Sequence, residues 1–180
     1  AAWRIRDAMP QAASIDNFID AHQGDERIEL CGKLAIVQSI LEAERQSELS
    51  VDFNNQRAID FTNLDKTWFS SFFQLLTENC QVGQMEERLS SLTLIIFNYD
   101  RCVEQFLYIA LQNYYGISSE EAAKLLANLA VFHPYGTVGS LPWQTRDGSV
   151  EFGADTAGRE LPRLAGPIQA FTEGTDPSKS

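Results

Sequence analysis

Two short segments carry the side chains best suited to chemistry. In the first, the apolar run Leu92-Thr93-Leu94-Ile95-Ile96-Phe97 stops abruptly at an amide, a phenol and a carboxylate: Asn98, Tyr99 and Asp100. The second is His133-Pro134-Tyr135-Gly136-Thr137-Val138-Gly139, directly after Ala130-Val131-Phe132. An amide, a carboxylate, an imidazole and a phenol can together hold hydroxyls or a water and move a proton, provided that the fold brings them to one place. Each of the two ionisable candidates also has a plain structural reading. Asp100 can cap the helix that follows it by accepting from first-turn N–H groups, and His133 can be a hydrogen-bonded histidine of the scaffold.

The elements around these residues have to do the positioning. Six residues rich in branched and aromatic side chains, without alternation, fit a strand covered on both faces, as in a parallel sheet between helices. From Arg101 the apolar positions Val103, Phe106, Leu107, Ala110, Leu111 and Tyr114 follow the spacing of one helix face, and Gly116 offers a left-handed stop. Ser118-Ser119-Glu120-Glu121 reads as a capping box for a helix carrying Ala122, Leu125, Leu126 and Leu129. Ala130-Val131-Phe132 reads as a second short buried strand. Two strands joined through helices should run parallel with a right-handed crossover, so that both carboxyl ends leave the sheet on one edge. Ligands of open α/β sheets bind outside those ends, which makes Asn98, Asp100, His133 and Tyr135 the candidate site.

The remaining chain reads as one domain built around that core. Residues 1–90 are mainly helical: Ser14 caps a short helix with Ile15, Phe18 and Ile19, and after Gly24-Asp25 the stripe Leu30, Leu34, Ile36, Val37, Ile40 and Leu41 runs to about Leu49. Glu42, Glu44, Arg45 and Glu48 form its wet face, and His22 is a surface residue. Asn54 to Asn63 is a polar connection, and after Asp65 the residues Trp68, Phe69, Phe72, Phe73, Leu75 and Leu76 make a helix face that covers the sheet. A polar segment after Gly83 leads into the strand at Leu92. Residues 91–143 are the strand-helix-helix-strand core. Residues 144–180 are a loop-rich end, with a hairpin turn at Asp147-Gly148, a loop bracketed by Pro162 and Pro167, a strand over Ile168 to Thr172 and a frayed end from Gly174. The fold class is therefore α/β, a helix-rich Rossmann-like parallel sheet with a large helical N-terminal part. The absence of an initiating Met at Ala1 suggests an incomplete domain.

Bulk properties narrow the function. With 180 residues and 44% hydrophobic side chains the chain can build a real core. A net charge of -11 disfavours nucleic acid as a partner, since phosphate neutralisation dominates that binding. Cys31, Cys80 and Cys102 are too few and too scattered for a disulfide framework or a zinc site, and read as reduced thiols. No apolar run is long enough to span a bilayer and no leader is visible, so neither a membrane nor a metal is expected and the location reads as cytoplasmic.

A buried strand ending in Asn98-Tyr99-Asp100, a helix beginning Arg101-Cys102-Val103-Glu104 and a later strand ending in His133-Pro134-Tyr135-Gly136 together resemble the sirtuin-like domains of bacterial proteins, many of them linked to defence against phage. The resemblance spans roughly Leu92 to Trp143. It implies nicotinamide adenine dinucleotide (NAD) bound on a Rossmann-like sheet, with hydrolysis of its N-glycosidic bond to nicotinamide. Asn98 matches the family residue that orients the nicotinamide ribose or a water, and Asp100 the acidic residue near the carboxamide. The resemblance makes His133 and Tyr135 the further catalytic candidates and puts Tyr99, Gly136, Thr137 and Gly139 beside the cofactor. An oxocarbenium-like transition state needs a held sugar, nearby negative charge and a base for water, which such a set supplies.

The chain departs from the family in three respects. Tyr135 stands where the family has its catalytic His before glycine, and a phenol with a pKa of about 10 is a poor base at neutral pH. The chain contains no Gly-x-Gly phosphate loop, so that loop would have to lie upstream of Ala1. The cysteine pairs that hold zinc in protein-deacylating sirtuins are missing, which disfavours a deacylase. Two other readings stay open: a module that senses a nucleotide without turnover, and a helical interaction module that self-associates as a homo-oligomer through Trp68, Phe69, Phe72 and Phe73.

Overall fold

The structure, a computed structural model, describes residues 1–51, 59–156 and 160–170. Its elements are α1 (Ala2–Ala8), α2 (Ile15–Asp20), α3 (Glu26–Gln46), α4 (Trp68–Thr77), α5 (Met85–Ser90), β1 (Thr93–Ile95), α6 (Cys102–Tyr115), α7 (Ser119–Leu126), β2 (Ala130–Phe132) and α8 (Leu161–Ala165). The architecture is helix-rich α/β with a small parallel sheet of two strands among the described residues.

Local signals set the helix ends. Ser14 Oγ accepts from Asn17 N–H at the start of α2, and the Asp25 carboxylate accepts from the Arg27 and Ile28 N–H groups at the start of α3. Ser118 and Glu121 close a reciprocal capping box on α7, and Gly116 ends α6 at φ 65° in the left-handed region.

In the sheet, Thr93, Leu94 and Ile95 pair with Ala130, Val131 and Phe132 in parallel register, so both strands point their carboxyl ends the same way. The expected burial of both faces is not found. Leu92, Leu94, Ile96 and Val131 pack on the core, whereas Ile95, Phe97 and Phe132 are 59%, 64% and 60% exposed. The strand does alternate, but both of its faces are apolar, which hides the alternation.

One core joins α4, α5, α6 and α7, and a second joins α3 and α8 with Val138 and Val150. Several expectations are corrected. Leu30, Trp68, Leu75 and Tyr114 are exposed, and α4 packs its Phe69 and Phe73 on Phe106 of α6 rather than covering the sheet. The segment after Gly83 folds as α5, anchored by fully buried Met85 and Leu89. No hairpin forms around Asp147-Gly148, the Pro162 loop is helix α8, and residues 168–170 form no strand, although Ile168 and Ala170 are buried and Gln169 N–H bonds the Tyr135 carbonyl. His22 is half-buried, its ring beside Phe18 and its Nδ1 2.8 Å from the Phe18 carbonyl. Residues 54–58 of the polar connection, the end of the proposed last strand and Gly174 to Ser180 lie outside the described residues.

The largest correction is Glu44, placed on the wet face by its helical spacing but 1% exposed. Its carboxylate forms a fork with Arg101, Nε to Oε1 at 3.0 Å and Nη2 to Oε2 at 2.5 Å, and also accepts from the backbone N–H of Arg101 and of Gly153. Arg101, 1% exposed, gives its remaining hydrogens to the carbonyls of Val150, Glu151 and Gly139. The cysteines are free thiols, with Cys80 buried, and among the described residues no helix is long and apolar enough to cross a membrane.

Removing one partner of such a pair leaves a buried charge uncompensated, at a cost of about 3–5 kcal/mol. Glu44→Ala is therefore expected to lower the unfolding free energy by that amount in urea denaturation. A loss below about 1 kcal/mol would contradict a dry, fully bonded pair.

Candidate functional site

At the carboxyl ends of the two strands lies a cleft of about 600 Å³ lined, among the described residues, by Ser14, Asp16, Asn17 and Asp20 of the α2 region, Ile40 of α3, and Phe97, Asn98, Tyr99, Asp100 and Tyr135. Asn98, Asp100 and Tyr135 thus line one cleft, on the side where the parallel topology brings both strand ends. The Asp100 carboxylate accepts from Cys102 N–H at 3.1 Å, one residue ahead of the formal cap at Arg101. The capping role and a place in the cleft coexist. Tyr99 sends its hydroxyl within 2.9 Å of Asp16 Oδ1 and 3.0 Å of the Gln169 carbonyl, which fastens the strand exit to α2.

Asp16 and Asp20 were not among the residues picked out by motif. They stand four apart on a helix, the spacing that puts two carboxylates on one face, so the pattern was present but not tied to the strand ends. Three carboxylates, from Asp16, Asp20 and Asp100, therefore meet a cleft also lined by Phe97 and Tyr135, whose rings lie 6.2 Å apart.

His133 is not among the lining residues. It lies behind the lip, its Nδ1 3.0 Å from the Asn98 carbonyl oxygen and its Nε2 2.8 Å from Glu104 Oε1. Both nitrogens are engaged, so the scaffold reading of this histidine describes its geometry. Glu104, whose position in the sequence marks only the start of α6, is 5% exposed. Burial works against the imidazolium, but the hydrogen bond and charge of Glu104, the Asn98 carbonyl and the Asp100 charge outweigh it and hold the His133 pKa above its ordinary 6.5. Burial first, then the neighbouring Asp100 charge and hydrogen bond, push the Cys102 thiol far up, which favours the neutral thiol over the nucleophilic thiolate.

The Gly136 to Gly139 segment does not line the cleft. A Cβ on Gly136, where φ is 83°, would sit 2.1 Å from the Pro167 carbonyl oxygen, and one on Gly139 would meet Val150 and Leu164. These glycines allow the chain to pass against the α8 region. Thr137 Oγ1 is buried without a hydrogen-bond partner. Gly136 and Gly139 thus let this segment pack closely on the chain's own backbone and side chains. Among the described residues no cluster of three or more His, Cys, Asp or Glu side chains is arranged to hold a metal.

Comparison of the chain with protein-family models, with curated proteins and with solved structures finds no match.

Two outcomes follow from this geometry. Gly136→Ala forces a side chain into both a positive φ and the Pro167 carbonyl, so it is expected to cost at least about 1–2 kcal/mol of stability in urea unfolding; a normally stable variant would contradict that packing. Because the folded pKa of His133 is raised, its contribution to stability is complete below the ordinary 6.5 and is lost as pH rises through the folded value. The stability gap between wild type and His133→Gln should therefore narrow with rising pH. A gap that widens reverses the sign and refutes the bonding assigned to Glu104.

Proposed function

We propose that the chain is a sirtuin-like module of Rossmann-like ancestry whose cleft holds the nicotinamide ribose of NAD and hydrolyses its N-glycosidic bond. The observation that carries this reading is the convergence of Asn98, Asp100 and Asp16 in one cleft at the carboxyl ends of parallel strands. The Asn98 side-chain amide holds a ribose hydroxyl or the attacking water. Asp100 and Asp16 place negative charge where the oxocarbenium-like transition state develops positive charge. Water activation falls to Asp100, because His133 has both nitrogens engaged and Tyr135 carries a phenol.

The bonding of His133 also favours a second reading, in which the cleft senses the nucleotide without turning it over. Incubating the full chain with NAD and measuring released nicotinamide separates the two. Turnover is expected, with Asn98→Ala slower by about a hundredfold, the usual loss for one electrostatic donor in a site. Binding in calorimetry with no release above the Asn98→Ala level would leave the sensor reading alone, and absence of binding would remove both.

A further inference from the structure

His133 is bonded on both sides by groups that accept. The Asn98 carbonyl cannot donate, so Nδ1, 3.0 Å away, carries a hydrogen. The 2.8 Å contact between Nε2 and Glu104 Oε1 then requires a second proton between ring and carboxylate, resident on one or the other. The pair keeps both bonds only while it keeps that second proton.

The surroundings favour keeping it. Glu104 Oε2 is buried without a hydrogen-bond partner, so a carboxylate deprived of the imidazolium would be poorly satisfied on both oxygens. Asp100, from the turn before α6, adds further negative charge towards the ring. The other ionisable groups of that turn do not compete: Arg101 is taken up by Glu44, and the Cys102 thiol is held neutral.

The position of the ring gives this proton leverage. The last sheet bond runs from Ile96 N–H to the Phe132 carbonyl at 2.9 Å, and beyond it the two strand exits are bridged by the His133 ring. Glu104 sits in the buried first turn of α6. The ring therefore ties the backbone of the cleft lip to a fixed helix.

We propose that His133 is a positioning residue whose proton, shared with Glu104, holds the Asn98–Asp100 lip against α6, so that the cleft is set for its ligand at low pH and slackens when the proton leaves. On deprotonation one bond becomes lone pair against lone pair, and the lip yields because the helix end is fixed in the core. The identity of the ligand rests on the function proposed above; movement of the lip does not.

The test follows the isotopically labelled full chain by NMR from about pH 5.5 to the end of the titration of the His133 ring. The backbone amide signals of Asn98 and Tyr99 are expected to shift with the same midpoint as the ring. Glu104→Gln is the deciding variant. Its new amide donates to Nε2 of a neutral ring whose Nδ1–H still meets the Asn98 carbonyl, so both bonds persist without the shared proton. Its lip signals should stay flat, and its NAD affinity should vary less than about twofold over a range in which the wild type falls about five- to tenfold, the scale of one charge-assisted hydrogen bond partly transmitted. Flat lip signals in the wild type while the ring titrates would overturn the proposal, as would a wild-type profile in Glu104→Gln. If NAD fails to bind, the proposed function falls, and the lip signals still decide the clamp.

Discussion

The fold depends on one buried ion pair. Glu44 and Arg101 join the long helix α3 to the turn that opens α6, and their remaining hydrogen bonds reach Gly139, Val150, Glu151 and Gly153. Four segments that share little regular structure thereby acquire fixed relative positions. Two charges taken out of water are worth little by themselves, because desolvation offsets their attraction. What they add is registry: each guanidinium and carboxylate bond has one direction, and an apolar contact in the same place would allow sliding. Arg45 reinforces the same seam by donating to the carbonyls of Gly153 and Ala154, and Gly153, at φ 66°, has no room for a Cβ beside the Arg45 backbone.

The same turn feeds the cleft. Residues 98–101 present, in order, an amide and a phenol to the cleft region, a carboxylate that bonds the helix start, and a guanidinium that bonds the core. A cleft lip made of loop would ordinarily be soft. Here it is held at both ends, by Arg101 in the core and by His133 against the Asn98 carbonyl. Ligand-binding groups held in place before a ligand arrives lose less freedom on binding, which favours a site over a mere crevice.

Legibility in the sequence followed the range of the interaction. Elements defined by local chemistry were readable: the capped starts of α2 and α7, the Gly116 stop, and the second strand at its observed bounds. The convergence of both strand ends was readable too, because parallel pairing follows from the helices between them. Partners far apart in the chain were not. Glu44 has the spacing of an exposed face and is buried only because Arg101, 57 positions later, meets it. Glu104 and His133 likewise identify each other only in space. At Gly136 the sequence records a glycine but not that the chain's own Pro167 carbonyl occupies the space a Cβ would take.

The distribution of charge bears on how the cleft would act under the proposed function. A developing positive charge about 4 Å from a carboxylate is stabilised by roughly 4 kcal/mol at an effective dielectric of about 20. In NAD the positive charge already sits on the nicotinamide ring, so only the part of that energy gained as charge moves onto the ribose would accelerate the reaction. Under the proposed function, fixed carboxylates at Asp16 and Asp100 lying nearer the ribose than the ring would supply part of the acceleration without a free histidine. The bond from Tyr99 to Asp16 and that from Cys102 N–H to Asp100 hold each carboxylate in place, so little reorganisation is needed as charge develops. A cleft of this kind would favour substrates whose leaving group departs easily, such as the cationic nicotinamide ring, over ordinary nucleosides that need the leaving base protonated.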